Sequence, residues 1–200
     1  MKSQWMSAGG QVKNSQWILV ALLTTQLHAA ETYRLDSSNT QVSFAVQHLG
    51  IHWVTARFSD INGQFVVAGA ASRVDVSVGI ASLDCSEPQW NERLRSAEWL
   101  DVQRYPRMVY HSSRIALDDE RGTADGQLTL HGVTRPIVLE VTVVNCSASG
   151  RCQFTAHGRI RRSEYGLPHG FWTGGDQVEI HISGVLGVAA RAISSTAHDQ

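Results

Sequence analysis

Apolar and polar residues alternate along most of the chain after residue 31, which is the pattern of half-buried β-strands. The alternation is clearest in 42–48, 74–80 and 137–143, where every second side chain is apolar. Shorter runs of the same kind occupy 54–58, 64–67, 108–110, 126–130, 154–160 and 178–182. Glycine and asparagine lie between several runs, and Asn62-Gly63 is interpreted as one of the turns. About eight strands with one-sided apolar faces predict an all-β fold, either a closed antiparallel barrel or a sandwich.

One segment, residues 87–100, departs from this alternation and is predicted to be a helical connection. Ser86 is a candidate N-cap, and Pro88 lies where a first helical turn tolerates proline. Trp90 and Leu94 are four residues apart and would share one side of the helix. The segment is too short for a domain, so we expect a lid or plug at one end of the barrel.

The first 30 residues resemble a secretory signal peptide rather than part of the fold. A basic start is followed by the apolar stretch 17–23 and by a small-residue end. We expect cleavage after Ala29 or Ala30 and a periplasmic location. A buried core helix or an uncleaved anchor stays open, although the apolar stretch is shorter than the roughly 20 residues of a membrane span.

Composition limits the remaining classes of function. The 200 residues include 17 basic and 18 acidic side chains, so no strong field of one sign exists to attract nucleic acid. The 42% hydrophobic content is typical of a globular domain. We expect one domain over 31–187 and a polar, flexible tail over 188–200.

The three cysteines divide into a pair and a single residue. Cys146 and Cys152 flank a polar turn between two predicted strands. In an oxidising compartment, this arrangement predicts a disulfide across the hairpin, with two free thiols as the alternative. Cys85 is left over, and inert burial is commoner for such a residue than reactivity.

Nine histidines raise the question of a metal site. His48 and His52 are four apart, a spacing that does not place two side chains together reliably across a strand and turn. His157 and His181 fall on separate predicted strands and would meet only through folding. Without a cysteine–histidine cluster of ligand spacing, we expect no metal site. Cys85 lacks a nucleophile signature, so we also expect no catalytic residues and no enzyme activity.

Five segments, in order, carry a resemblance to a known family. They are YRLD at 33–36 with VSFAVQHLG at 42–50, Phe58 with Gly63, NERLRSAEWLDV at 91–102 with Tyr105-Pro106, GQLTLHGVT at 126–134, and RSEYGL at 162–167. Together they resemble the YceI family of lipocalin-like, polyisoprenoid-binding periplasmic proteins. Asn91-Glu92-Arg93, Trp99-Leu100 and Cys85 depart from the family's usual residues, which leaves the identity of the ligand open.

The resemblance implies an extended eight-stranded antiparallel lipocalin-like barrel around an apolar tunnel. The ligand would be a long-chain isoprenoid amphiphile of the quinone or polyprenyl phosphate type, carried or stored without a covalently bound cofactor. The side chains expected to line the tunnel are Phe44, Val46, Phe58, Val76, Val78, Tyr110, Phe154 and Ile160. Leu94, Trp99 and Leu100 would close or shape one end. His48, Arg162 and Tyr165 would meet a polar head group at the mouth or fix the wall by hydrogen bonds.

Two other functions stay open from the sequence. The protein could be a ligand-free interaction or stress protein of the envelope, using Trp172 and the loop that contains Phe171. It could, alternatively, be an enzyme acting on a quinone-like ligand. A membrane or envelope protein partner and a homodimer are also compatible with the sequence, and each aliphatic tunnel residue has plain core packing as its alternative.

Overall fold

The computed structural model describes residues 31–48, 52–68, 72–170 and 175–188. The predicted signal peptide and tail residues 189–200 lie outside these ranges. Within them, the chain forms eleven strands and one short α-helix. The strands are β1 (Glu31–Leu35), β2 (Gln41–His48), β3 (His52–Phe58), β4 (Ile61–Val67), β5 (Arg73–Gly79), β6 (Asp84–Cys85), β7 (Arg107–Asp118), β8 (Arg121–Leu130), β9 (Val133–Cys146), β10 (Cys152–Arg161) and β11 (Gln177–Val188), and the helix is α1 (Asn91–Arg95).

Eight of the strands close into an antiparallel barrel, which confirms the predicted fold class. The order around the barrel is β1-β4-β5-β7-β8-β9-β10-β11, and β11 pairs with β1 to complete the ring. Alternate side chains of each strand face inward, which is why the sequence alternates with a period of two. Ile61, Val78, Leu128, Leu139 and Ile180 are among the buried side chains of this core.

The other three strands form an extension that branches from β11. The end of β11 pairs with β1, where Leu186 lies opposite Leu35. Its beginning pairs with β2, where Val178 lies opposite Val46, and the extension continues to β3 and β6. A 3₁₀ turn over Ser37–Asn39 separates β1 from β2. One long strand therefore has two successive partners, β2 along its beginning and β1 along its end.

The turn predicted at Asn62-Gly63 is wrong, because both residues lie inside β4. The chain instead turns at Ser59 and Asp60, whose N–H groups donate to the Ser82 hydroxyl over 3.1 and 3.0 Å. β3 and β4 are not a hairpin, since β3 pairs with β2 and β6 while β4 pairs with β1 and β5. The segment between them carries the chain from the extension into the barrel.

The helical connection exists but is shorter than the predicted 87–100. A 3₁₀ turn over Pro88–Trp90 leads into α1, which ends at Arg95, and turns follow up to residue 100. The expected cap at Ser86 is also wrong, because its hydroxyl accepts the Thr55 N–H of β3 at 3.2 Å. Across the described ranges, no helix has both the length and the apolar character needed to cross a bilayer.

The predicted disulfide is present and joins Cys146 to Cys152 across the β9–β10 hairpin, with 4.1 Å between the Cα atoms. Cys85 is free and buried. The hairpin is also fixed outside the disulfide, because Arg151 in its turn donates to Asp36 at 2.8 Å.

Reduction of this disulfide is expected to destabilise the barrel only modestly. Chain entropy assigns a loop this short about 2 kcal/mol. We expect urea unfolding of a Cys146→Ser/Cys152→Ser protein to show that loss, with the slope of the transition changed little. Wild-type protein unfolded with and without a reductant is the control for the serine substitutions themselves. A loss of more than about 5 kcal/mol in the free energy of unfolding would mean that the whole barrel depends on the disulfide for folding.

Candidate functional site

The barrel encloses a cavity of about 300 Å³, here called the barrel cavity. Side chains from strands all around the ring line it, and Val76, Ile115, Leu139, Phe154 and Ile182 are representative. None of the described residues that line it carries a charge. Because an isolated charge is costly in such surroundings, the barrel cavity suits hydrocarbon.

A second cavity, of about 130 Å³ and here called the end cavity, lies where the extension meets the helical connection. Val54 of β3 forms one side, and Trp90, Leu94 and Leu100 of the connection form another. Trp99 completes this side, and its ring meets that of Trp90 edge to face with the centroids 6.2 Å apart. The predicted plug is therefore the wall of a cavity and does not fill the barrel end completely.

The two cavities are neighbours. Phe44 and Met108 line both of them, and the Phe44 ring packs edge to face on Phe58 with the centroids 5.4 Å apart. On β10, Cys152 lines the barrel cavity and Ile160 lines the end cavity. The eight residue steps between them correspond to roughly 26 Å at about 3.3 Å per residue. Two neighbouring cavities spread over this length suit a chain better than a compact ligand.

Arg162 is the charged side chain among the described residues that line the end cavity, and it is only 5% exposed. It begins the 3₁₀ turn Arg162–Tyr165, which Gly166 ends in the left-handed conformation with φ 69°. Its guanidinium donates to the Gly175 carbonyl oxygen and lies 5.8 Å from the centre of the Trp99 ring. Burial lowers the pKa of Arg162, while the nearby Asp176 carboxylate acts in the opposite direction. The turn thus holds a cation at the wall of an apolar space.

Two buried tyrosines differ in their relation to the cavities. Tyr110 lines the barrel cavity, and its hydroxyl donates to the Ala124 carbonyl oxygen at 2.8 Å. Burial, with a smaller contribution from Asp125, raises its pKa, so the group stays neutral in ordinary conditions. Tyr165 is 1% exposed and lines neither cavity, and burial raises its pKa to about 12.

The structure brings most of the predicted site residues to the two cavities. Those in the barrel cavity are Phe44, Val76, Val78, Tyr110 and Phe154. Those in the end cavity are Val46, Phe58, Leu94, Trp99, Leu100, Ile160 and Arg162, together with Phe44. The side chain of His48, the last residue of β2, lies outside the described part of the structure, as do Phe171 and Trp172. Their roles stay predictions, as does the ligand contact expected of Tyr165.

Sequence reasoning missed several wall residues. Met108, which lines both cavities, and Trp90 were assigned to a strand and a helix but not to the site. Leu139, Val141 and Ile182 belong to alternating runs whose inward face was recognised, and that face was the available signal. Met108 alternates with Tyr110 on β7 and carries the same signal. For Trp90 the sequence holds no comparable signal, because its contacts depend on how the helical connection packs on the barrel.

Metal-ligating clusters and the free thiol are the remaining candidates for chemistry in the described ranges. Groups of three or more His, Cys, Asp or Glu side chains that could hold a metal ion do not occur there. Cys85 is buried beside the start of the helical connection, and its backbone N–H donates to the Asn91 side chain at 2.7 Å.

A closed antiparallel barrel around an apolar interior defines the lipocalin-like class of barrels. The family model for the YceI-like domain matches residues 33–186, so the chain belongs to the YceI family. It is 32% identical to a UPF0312 protein of Enterobacter sp. (strain 638) over 171 residues, which cover 81% of this chain and 89% of that protein. Protein YceI of Salmonella arizonae is 29% identical, with 81% and 90% covered.

Two solved structures share the fold. Burkholderia cenocepacia BcnA superimposes with a TM-score of 0.67 at 24% identity, covering 76% of this chain and 98% of that one. A polyisoprenoid binding domain from Saccharophagus degradans, implicated in plant cell wall breakdown, gives 0.63 at 17% identity, with 78% and 98% covered. The predicted family and barrel are confirmed by these matches and by the family model.

Proposed function

We propose that the protein binds a long-chain isoprenoid amphiphile non-covalently, with the chain in the barrel cavity and the polar head near Arg162 in the end cavity. The ligand is of the quinone or polyprenyl phosphate type, and the protein carries or stores it in the periplasm after export, without turnover. The observation that carries the proposal is the uncharged, apolar lining of the barrel cavity. Membership of the YceI family and the polyisoprenoid-binding description of one fold relative support it.

The energetics favour a chain over a small polar molecule. Burial of apolar surface contributes about 25 cal/mol per Å², or about 0.8 kcal/mol for each CH₂ group. The affinity of a prenyl chain therefore increases with each isoprene unit that is buried in the barrel cavity. An apolar wall distinguishes poorly between an isoprenoid and another hydrocarbon chain. Selectivity therefore has to come from the length and shape of the ligand and from its head group.

Native mass spectrometry of the protein purified from its own cell envelope tests the proposal. We expect a stoichiometric adduct, and organic extraction of the same sample should release a prenyl-chain compound. A fatty amide or phospholipid in its place would keep a lipid-binding function but refute the isoprenoid assignment. An empty protein that also takes up neither added quinone nor polyprenyl phosphate would refute the binding function itself.

Arg162→Met is expected to change head-group preference more than chain binding. Methionine keeps an unbranched apolar stem but removes the cation that would pair with a phosphate. A hydrogen bond to a charged group is worth about 1.5–3 kcal/mol, so affinity for a polyprenyl phosphate should fall about 10–100-fold. Affinity for a quinone of equal chain length should change much less, and fluorescence or calorimetric titration of both ligands measures the ratio.

Arg93→Met is the matched control for this substitution. The Arg93 guanidinium lies 5.9 Å from the same Trp99 ring, but the side chain is exposed and does not line the end cavity. The control should keep the wild-type ratio of the two affinities. Equal losses for both ligands in Arg162→Met would show that Arg162 supports the wall and does not meet the head group.

A further inference from the structure

A pair of histidines on the outer wall of the barrel lies apart from both cavities. His157 of β10 and His181 of β11 are directly opposite each other in the strand register. Their neighbours Ala156 and Ile182 line the barrel cavity, so the two imidazoles face outward. The Nδ1 atoms are 2.8 Å apart, and the ring centroids are 4.9 Å apart. Folding has therefore joined two side chains that lie 24 residues apart in the sequence.

The surroundings of the pair resemble those of metal-bound imidazoles. A ligating histidine usually directs its other ring nitrogen to a carboxylate or carbonyl, which fixes the tautomer and the ring orientation. Here the Glu179 carboxylate lies 3.5 Å from Nε2 of His181. Glu140 lies opposite His157 on the neighbouring strand β9. The Glu179 carboxylate also lies 3.5 Å from Nε of Arg159. The two Nδ1 atoms share one proton in the hydrogen bond between the rings, and a bound ion would displace that proton.

The spacing of the two nitrogens selects among coordination geometries. With metal–imidazole bonds of about 2.0–2.1 Å, two ligands at a right angle lie about 2.9 Å apart, and two at a tetrahedral angle about 3.3 Å. The observed 2.8 Å is the length of a hydrogen bond between the two rings, and it is closer to the right-angle value than to the tetrahedral one. Square-planar or tetragonal nitrogen and oxygen sites are typical of Cu²⁺, which also binds most strongly among the divalent first-row metals.

We infer that His157 and His181 form a Cu²⁺ site on the outer wall of the barrel, through their two Nδ1 atoms. Water completes the coordination, since the His181 side chain is 43% exposed and the site is open to solvent. Because both ligands stand on paired strands, the bound ion links β10 to β11 and stabilises the folded barrel. The site is separate from the lipid cavities and does not depend on the proposed ligand.

Cu²⁺ titration of the purified protein tests this inference, followed by calorimetry and by electron paramagnetic resonance. We expect one site in the wild type whose spectrum shows coupling to two imidazole nitrogens. His157→Asn and His181→Asn should each weaken that site by about tenfold or more, because even outer partners of metal ligands are worth about 10–100-fold. At equal Cu²⁺ concentration, the melting temperature should rise more in the wild type than in either variant.

His111→Asn is the matched control, since His111 is also exposed on the barrel wall. Its Nδ1 lies 2.6 Å from Asp75 Oδ1, and it belongs to β7, whereas the histidine pair stands on β10 and β11. This control should bind Cu²⁺ as the wild type does. The inference fails if wild type and the double variant His157→Asn/His181→Asn bind Cu²⁺ equally, or if His111→Asn weakens binding as much as the paired substitutions do.

Discussion

Val76→Trp is expected to remove most of the affinity for a long-chain ligand while the barrel stays folded. Val76 lies in the middle of β5 and lines the barrel cavity. An indole there would occupy space that the chain needs. Exclusion of one isoprene unit, about five carbons at about 0.8 kcal/mol each, corresponds to roughly 3–4 kcal/mol, or more than a hundredfold in Kd. Titration of the delipidated protein with a long-chain quinone measures this loss directly.

Val138→Trp supplies the matched control on the opposite side of the wall. Val138 of β9 is 53% exposed and lies between the buried Ile137 and Leu139, so its side chain faces outward. The same change of residue there should leave ligand affinity unaltered. Thermal unfolding of both variants shows whether the barrel persists, since overpacking of a core costs about 1–3 kcal/mol. Unchanged affinity in a folded Val76→Trp protein would place the chain outside the barrel cavity.

The barrel could be predicted from sequence because inward and outward residues alternate along each strand. That local pattern does not state which strands pair. β2 and β3 alternate like the strands of the ring, yet they form the extension, because β11 changes partner from β1 to β2. Strand pairing is decided by contacts between residues far apart in the chain. A single alternating run predicts which side chains face inward, but it does not predict the partner strand.

The error at Asn62-Gly63 has a similar physical origin. Asn-Gly is a strong turn signal, because both residues tolerate positive φ. At Gly63, however, the glycine serves close packing: a Cβ would overlap the Leu35 side chain and lie 3.0 Å from the Asp75 carbonyl oxygen. The real turn is held by Ser82, more than 20 residues further along the chain. The local sequence predicts a glycine in a turn, whereas the tertiary structure needs glycine at position 63 because a side chain there would clash with Leu35.

The sequence predicts those residues of the candidate site that lie on strands. Val76, Tyr110 and Phe154 were identified from alternation together with the family resemblance, and all three line the barrel cavity. The end cavity depends on how a five-residue helix and its flanking turns dock on the extension. The meeting of Trp90 with Trp99 there is a tertiary contact that helical spacing alone does not specify.

Trp99→Ala is expected to cause the largest loss of stability among single substitutions in the end cavity. Trp99 is 7% exposed and packs against Trp90. Two guanidinium groups also lie near its ring, Arg93 at 5.9 Å and Arg162 at 5.8 Å from the ring centre. Truncation of a buried aromatic side chain costs about 3–5 kcal/mol, since contacts are lost and a void remains. For a domain of this size that corresponds to a fall in Tm of roughly 10 °C.

Urea unfolding of delipidated protein is the measurement for this variant, because a bound ligand would add its own stabilisation to the folded state. Trp53→Ala is the matched control: Trp53 lies on β3 at 49% exposure and should lose no more than about 0.5 kcal/mol. If both variants lose the same small amount, the tryptophan pair does not hold the helical connection on the barrel. In that case, the end cavity would open and close without a large energetic barrier, and Arg162 would lose its fixed position against the ring.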